Sequence, residues 1–264
     1  MIILDNFFGG IFVRVFFVKR VTLVLTAAIL ILGAALSIPV TVGVKQVSPE
    51  TREYWNGSKD IIWHISTKEK MIALTFDDGP SPTFTPQILD ILKKNKVKGT
   101  FFMIAREAEK YPDIVRRLVS EGHEIANHTY NHKYLHNSTE ADLKKELTLA
   151  EETIIKAGGV KPKLFRPPGG YYNEMIVKVS KEMGYRVIIW SWEQQSRDWA
   201  NPGTPTIIRR VLEDASSGNI IVFHDRGGNR VQTVQAMQPI IDGLKQNGFK
   251  LVTVSEMLRN STDR

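Results

Sequence analysis

The sequence contains no cysteine among its 264 residues. Disulfide bonds, thiolate zinc sites and cysteine nucleophiles are therefore excluded, and any bound metal must be held by histidine, aspartate or glutamate. Phosphate-binding glycine motifs are also missing, because neither G-x-G-x-x-G nor G-x-x-x-x-G-K-[ST] follows any apolar run. The sequence thus gives no support to a nucleotide cofactor.

Basic residues outnumber acidic ones, giving a formal charge of +7 and a pI near 9.5. No basic run is interleaved with aromatic residues, as nucleic-acid binding would favour. Lysines and arginines scattered over the solvated surface, with no partner, account for the positive charge. Basic residues that are attracted to anionic lipid headgroups or to an anionic cell wall would account for it equally well. We therefore expect no nucleic-acid partner.

One long run without charge stands out near the amino terminus, at residues 21–44. A helix of this length reaches roughly 36 Å, more than the ~30 Å hydrocarbon layer of a membrane. Arg14, Lys19 and Arg20 precede the run, which predicts a cytoplasmic amino terminus and export of the rest of the chain. We expect a single-pass protein of the cell membrane with an extracytoplasmic catalytic domain; a cleaved signal peptide is the alternative.

The chain divides into four segments on this pattern. We expect a cytoplasmic segment at 1–20, a transmembrane anchor at 21–44, a linker with a peripheral strand at 45–67, and a folded domain after it. In the last segment, apolar runs alternate with amphipathic stretches about seven times, which predicts an α/β domain with a mostly parallel sheet. The pattern leaves open whether the sheet closes as a barrel or stays open as a doubly wound layer.

The strand predicted at Ile72–Phe76 ends in two adjacent carboxylates, Asp77 and Asp78, before Gly79–Pro80 turns the backbone. Parallel α/β folds keep their chemistry at the carboxyl ends of strands. Because neighbouring strand residues point to opposite faces, one aspartate could bind a metal while the other handles a proton. A plain solvated turn is the alternative.

Histidines supply the remaining candidate groups. His128 and His132 are four residues apart, which predicts both imidazoles on one face of a helical turn, although His136 continues the same interval. Two histidines and one carboxylate would hold a zinc-type ion, which lowers the pKa of a bound water toward 7 and supports hydrolysis of an amide or ester. His224 follows the apolar strand Ile220–Phe223 and suits a general acid, the alternative being a buried structural histidine.

Five separated stretches occur in one order along the chain: Thr75–Pro80, His128–His132, Arg166–Gly170, Asp198–Trp199 and Val222–His224. Together they resemble the polysaccharide deacetylases of carbohydrate esterase family 4, over about residues 68–258. The resemblance implies a distorted (β/α) barrel that removes acetyl groups from N-acetylglucosamine polymers, either peptidoglycan or chitin. It also implies a cell-wall glycan as partner and a divalent metal as cofactor, with zinc expected and cobalt or another ion as alternatives.

The resemblance assigns a role to each matching residue. Asp77 would be the general base, and Asp78, His128 and His132 would be the metal ligands. His136 then falls outside the ligand set.

The later motifs would support these groups. Arg166 would orient the base, and Asp198 would be the partner of the acid His224. Trp199 would form one wall of the acetyl pocket. Gly169 stands where the family often has tyrosine, and its backbone N–H would still help to hold the oxyanion.

Two other positions depart from the family pattern. Gln195 replaces an aspartate three residues before Asp198, and Val222 replaces a leucine of the acetyl pocket. Neither change touches the metal or the proton-transfer groups, so we expect an N-deacetylase, a hydrolase of carbon–nitrogen bonds other than peptide bonds. A catalytically silent glycan-binding module and a metal amidase acting on another amide are the alternatives.

Overall fold

The computed structural model describes Trp55 and residues 59–262. The segments predicted at 1–20 and 21–44, and most of the predicted linker, lie outside these residues. Within the described part, no helix is both long enough and apolar enough to cross a bilayer.

Eight strands form one parallel sheet in the described residues. They are β1 Ile61–Ile62, β2 Met71–Asp77, β3 Thr100–Met103, β4 Glu124–Asn127, β5 Leu164–Phe165, β6 Arg186–Ile188, β7 Ile220–His224 and β8 Lys250–Val252. Their spatial order is β1-β6-β5-β4-β3-β2-β7, and β8 pairs with the first half of β2. Because β2 to β6 are neighbours in chain order, each crossover advances in the same sense, as in a barrel, whereas a doubly wound sheet reverses its order.

The two sides of the sheet approach each other between β6 and β7. The backbone N–H of Ser191, just after β6, donates to the carbonyl of Ile220 at 2.9 Å. Gln195 forms an isolated parallel bridge with Val222. The sheet is therefore barrel-like, and the prediction of a parallel α/β fold is confirmed.

Eight helices accompany the strands in the same part of the chain. They are α1 Phe84–Lys94, α2 Ala105–Lys110, α3 Pro112–Ser120, α4 Glu140–Gly158, α5 Glu174–Glu182, α6 Thr204–Glu213, α7 Val231–Gln246 and α8 Val254–Arg259. Helical spacing in the sequence predicts six of these, at 86–94, 112–121, 140–157, 174–183, 206–215 and 231–246. It misses α2 and α8 because six residues are too few for a 3.6-residue period to show.

Helix α4 shows how local sequence sets the bounds of an element. Thr139 Oγ1 accepts from the backbone N–H of Asp142 at 3.2 Å, and Asp142 Oδ2 accepts from the N–H of Thr139 at 3.1 Å. This reciprocal capping box satisfies donors that a helix start leaves free. At the other end, Gly159 adopts φ 72°, the left-handed conformation that stops a helix.

Strand β2 has two distinct faces. Ile72, Leu74 and Phe76 are fully buried and pack between the sheet and the helices. The alternate positions face the interior of the barrel, where Thr75 and Asp77 contact a buried arginine. The two-residue period of a strand thus delivers Asp77 to the inner edge of the sheet.

Candidate active site

The carboxyl ends of β2 and β7 lie side by side, and Asp77 is paired in register with His224. The next residue, Asp78, has φ 76°, a left-handed conformation that aspartate tolerates better than most residues. The strand therefore ends between the two aspartates, and the two carboxylates take different partners.

Asp78 faces two imidazoles. Its Oδ1 lies 3.5 Å from Nε2 of His128 and 3.2 Å from Nε2 of His132, and one ligand atom from each residue lies within 4.8 Å of the others. Burial opposes ionisation of Asp78, but the two imidazoles outweigh it and hold the pKa of Asp78 well below its usual range.

The same three residues fit a divalent cation. Asp78 Oδ1 is buried without a hydrogen-bond partner. Nδ1 of His128 donates to the carbonyl of Arg166 at 2.6 Å, so Nε2 is the ring nitrogen that faces Asp78 and is placed to ligate an ion. A free carboxylate oxygen and two imidazole nitrogens are a common ligand set for zinc-type ions.

The loop between the two histidines differs from the prediction. Residues 128–132 form no helical turn, since Thr129 and His132 have φ 67° and 59°. The backbone N–H of His132 donates to Thr129 Oγ1 at 3.0 Å, which closes a tight left-handed loop. The prediction of a helical turn is therefore wrong, and backbone reversal rather than helical period brings the two rings to 5.1 Å.

Glu146 of α4 supports this loop and has no counterpart among the predicted site residues. Its Oε2 accepts from the backbone N–H groups of Tyr130 and Asn131 at 3.1 and 2.8 Å, and its Oε1 accepts from Asn131 Nδ2 at 2.8 Å. The sequence did carry a signal, because Glu146 sits between Leu143 and Leu147 on the apolar face of the helix. An acid at a buried position usually has dedicated partners.

Asp77 is bound to a completely buried arginine. Arg166 Nη1 donates to Asp77 Oδ1 at 2.6 Å and to Thr75 Oγ1 at 2.9 Å. Its Nε and Nη2 donate to the carbonyls of Ile188 and Ile189 at 3.2 and 3.3 Å. Burial lowers the pKa of Arg166 while the Asp77 carboxylate opposes this effect. The arginine thus fixes the position of Asp77 from inside the barrel.

His224 is bound to Asp198. Asp198 Oδ1 lies 2.7 Å from His224 Nδ1, and Oδ2 accepts from the backbone N–H of His224 and from Thr233 Oγ1, both at 2.8 Å. Burial alone would lower the pKa of His224, but the charge and hydrogen bond of Asp198 raise it to about 9. His224 Nδ1 is engaged, so Nε2 is the nitrogen able to exchange a proton.

A loop after β7 closes against the metal-ligand set. Gly227 has φ 84°, and a Cβ added there would lie 3.0 Å from Asp78 Oδ2, so glycine suits both the backbone conformation and the close approach. Arg230, which is buried, donates to the carbonyls of Arg226 at 2.8 Å, Asp198 at 3.3 Å and Gly227. Arg230 therefore ties this loop to Asp198, and no motif in the sequence pointed to it.

The remaining predicted residues fall on two sides of the site. Val222 is buried two residues before His224 on the same face of β7, and Trp199, which directly follows Asp198, is 57% exposed. Gly169 has φ 66°, and a Cβ there would lie 2.9 Å from the ring of Tyr134. Trp199 and Val222 thus accompany the acid pair, whereas Gly169 lies against the loop that follows the metal ligands.

A parallel α/β domain that brings two charge pairs and an Asp-His-His set to one edge of its sheet has the groups that metal-assisted hydrolysis requires. A family model described as polysaccharide deacetylase matches residues 64–188. A peptidoglycan-N-acetylglucosamine deacetylase of Bacillus cereus is 47% identical over 199 residues, covering 75% of this chain and 93% of that protein. The chain belongs to the polysaccharide deacetylase family.

Solved structures agree with this assignment. The crystal structure of a peptidoglycan N-acetylglucosamine deacetylase in complex with 4-naphthalen-1-yl-N-oxidanyl-benzamide aligns with a TM-score of 0.76 and 35% identity, covering 81% of this chain and all of that one. A CE4 family pseudoenzyme from Bacillus anthracis aligns with a TM-score of 0.71 and 27% identity, covering 76% and 69%. Similar folds therefore occur in a protein named as a deacetylase and in one named as a pseudoenzyme.

Proposed function

We propose that this protein is a metal-dependent N-deacetylase that releases acetate from N-acetylglucosamine units of a cell-wall polysaccharide, with peptidoglycan as the main substrate and chitin oligomers as the alternative. One observation carries the proposal. Asp77 and His224 end adjacent strands in register, each with its own buried charged partner, and Asp78 of the metal-ligand set follows Asp77 directly.

Asp78, His128 and His132 would hold the ion. A bound divalent ion polarises the acetyl carbonyl and lowers the pKa of water. Asp77 would accept the proton of the attacking water, because Arg166 engages only Oδ1 and holds the carboxylate in place.

The second proton transfer would fall to His224. Its raised pKa keeps the imidazole protonated near neutral pH, and Asp198 fixes it through Nδ1. His224 would then donate a proton to the amine as the carbon–nitrogen bond breaks. The backbone N–H of Gly169 would donate to the developing oxyanion, and Trp199 with Val222 would enclose the acetyl methyl.

An acetate-release assay tests the function. Full-length protein treated with a chelator should release acetate from peptidoglycan and chitin oligomers only after Zn²⁺ or Co²⁺ is restored. Binding of these glycans without acetate release would instead favour the silent glycan-binding module. Hydrolysis of peptide stems or small amides, with acetylated sugars left intact, would favour the metal amidase.

The location is a second part of the proposal. The uncharged run at 21–44, preceded by Arg14, Lys19 and Arg20, supports a single-pass membrane anchor with the catalytic domain outside the cell. Protease added to intact cells should then degrade the domain and spare the cytoplasmic segment at 1–20 together with the membrane-embedded run at 21–44. Recovery of full-length, protected protein in the cytosol would contradict this topology.

A further inference from the structure

A row of aromatic rings leads away from the metal-ligand set. The ring of Tyr134 lies 5.9 Å from that of His132 and meets it edge-on at 71°. The ring of His136 lies 6.3 Å from Tyr134 and stacks on Tyr171 at 3.8 Å, with 27° between the planes. We call Tyr134, His136 and Tyr171 the aromatic row.

The aromatic row is exposed at one end and anchored at the other. Tyr134 is 56% exposed and His136 is also exposed. Leu135, between them, is fully buried in the core cluster against which Tyr171 also packs. The burial of Leu135 therefore fixes the segment 134–136, while the rings of Tyr134 and His136 face solvent. Single exposed aromatics are ordinary on protein surfaces, but a fixed row that starts at a proposed metal ligand is not.

Gly169 and Tyr134 fit one another. A Cβ at position 169 would lie 2.9 Å from Cε1 of Tyr134, closer than side chains tolerate. The ring of Tyr134 thus occupies the space into which a side chain at 169 would extend. Tyr134, on the loop that carries His132, therefore covers this side of Gly169.

We infer that the aromatic row binds the hexosamine units adjacent to the one being deacetylated, which rests on the proposed function. Pyranose rings have apolar C–H faces that pack on the electron-rich face of an aromatic ring. The row continues directly from His132, so a glycan with one sugar at the site would extend its neighbouring units over Tyr134 and His136. The row would therefore set a preference for longer oligomers.

The test compares oligomer lengths. Zn²⁺-loaded full-length protein is assayed for acetate release from chitin dimers and pentamers, together with Tyr134→Ala, His136→Ala and Tyr134→Phe. A dimer with one unit at the site would place its second unit over Tyr134, so Tyr134→Ala should raise KM about three- to tenfold for both dimer and pentamer. His136→Ala should raise KM by a similar factor for the pentamer, with little change for the dimer. Neither variant should change kcat. Tyr134→Phe should keep the wild-type KM because it keeps the ring. Ile155→Ala, an exposed apolar residue on α4, controls for surface truncation.

Calorimetric titration of the same proteins with pentamer and with Zn²⁺ separates the outcomes. Equal KM changes for dimer and pentamer in His136→Ala, or no KM change in either alanine variant, would overturn the aromatic row while leaving the deacetylase intact. Weaker Zn²⁺ binding by Tyr134→Ala at unchanged pentamer affinity would show that Tyr134 serves His132 instead. A wild type that releases no acetate but binds pentamer through Tyr134 would overturn the proposed function alone, and absence of both release and binding would overturn both.

Discussion

The metal-ligand set and the proton-transfer pairs are built in opposite ways. Two of the three candidate ligands, Asp78 and His132, stand on residues with positive φ, and the ligand oxygen of Asp78 has no hydrogen-bond partner. The proton-transfer pairs have ordinary backbone conformations but saturated contacts: Arg166 donates to four acceptors, and Asp198 accepts from three donors on His224 and Thr233.

The difference follows from what each group must do. A ligand atom must remain free, so the protein can position it only through the backbone and through neighbours such as Glu146. A buried charge that moves protons must be paired, because an uncompensated ion in the interior costs several kcal/mol. Backbone strain is therefore concentrated in the metal-ligand set, which we call the metal side. Hydrogen bonds are concentrated in the pairs Asp77–Arg166 and His224–Asp198, which we call the proton-transfer side.

The adjacent aspartates test this division most strongly. Asp77→Asn leaves all three candidate ligands in place, so metal should stay bound while turnover falls by roughly 10²- to 10⁴-fold, the usual contribution of a general base. Asp78→Asn replaces an anionic ligand with a neutral amide, so metal content should fall and excess metal should partly restore activity.

Metal analysis of both purified variants beside their acetate-release rates provides the measurement. Thermal unfolding of each variant is the control, since Asp77→Asn also leaves Arg166 with a neutral partner. A metal-free Asp77→Asn together with a metal-loaded Asp78→Asn would reverse the two roles.

Asp198→Asn should lower turnover about 10- to 100-fold and move the alkaline limb of the pH profile to lower pH. Asp198 raises the pKa of His224 to about 9 against the effect of burial, so without the carboxylate burial dominates and this pKa falls. The stability that protonation of His224 contributes to the wild type is complete below about pH 6.5 and is lost as the pH rises through about 9. Unfolding and rate profiles of both proteins check this, and an unmoved alkaline limb would remove His224 as the acid.

The sequence predicts strands β2 and β7 because each is an apolar run that ends in charged or ionisable residues, Asp77 and His224. Helical periods likewise gave α4 and α7 to within about a residue. The choice between a barrel and an open sheet was not accessible, since it depends on which strands pair. The bridge between Gln195 and Val222 joins distant parts of the chain, and no local pattern encodes it.

Some features of the candidate site could likewise be predicted from the sequence, and others could not. The residues named from the motifs meet at one edge because parallel strands bring their carboxyl ends together. The loop from His128 to His132 could not be read from its spacing, since left-handed backbone at Thr129 is set by tertiary contacts. The role of Arg230 could not be predicted either. Its three acceptors are backbone carbonyls, and a motif of side chains does not reveal a contact with the backbone.

Glu146→Ala should weaken metal binding about tenfold while kcat at saturating metal stays near wild type. The variant frees the backbone N–H groups of Tyr130 and Asn131, so the loop between the two histidines loses its support. Metal titration checks the affinity, and Glu152→Ala, an exposed acid on the same helix, is the matched control. If Glu146→Ala binds metal as tightly as the wild type, the loop from His128 to His132 keeps its conformation without Glu146.

The smallest expected effect tests whether backbone strain itself positions a ligand. Thr129 is β-branched and has φ 67°, a conformation that costs such residues about 1–3 kcal/mol and costs glycine little. Thr129→Gly relieves that strain but removes the acceptor for the N–H of His132, worth about 0.5–1.5 kcal/mol, so the midpoint of thermal unfolding should shift by only a few degrees. Metal affinity should nevertheless fall a few-fold, because an unconstrained glycine lets His132 sample other positions.

Thr129→Ser keeps the hydroxyl and should bind metal as the wild type does. If the glycine variant binds metal as tightly as the serine variant, the ligands are positioned by their neighbours alone, and the contrast between a strained metal side and a saturated proton-transfer side fails.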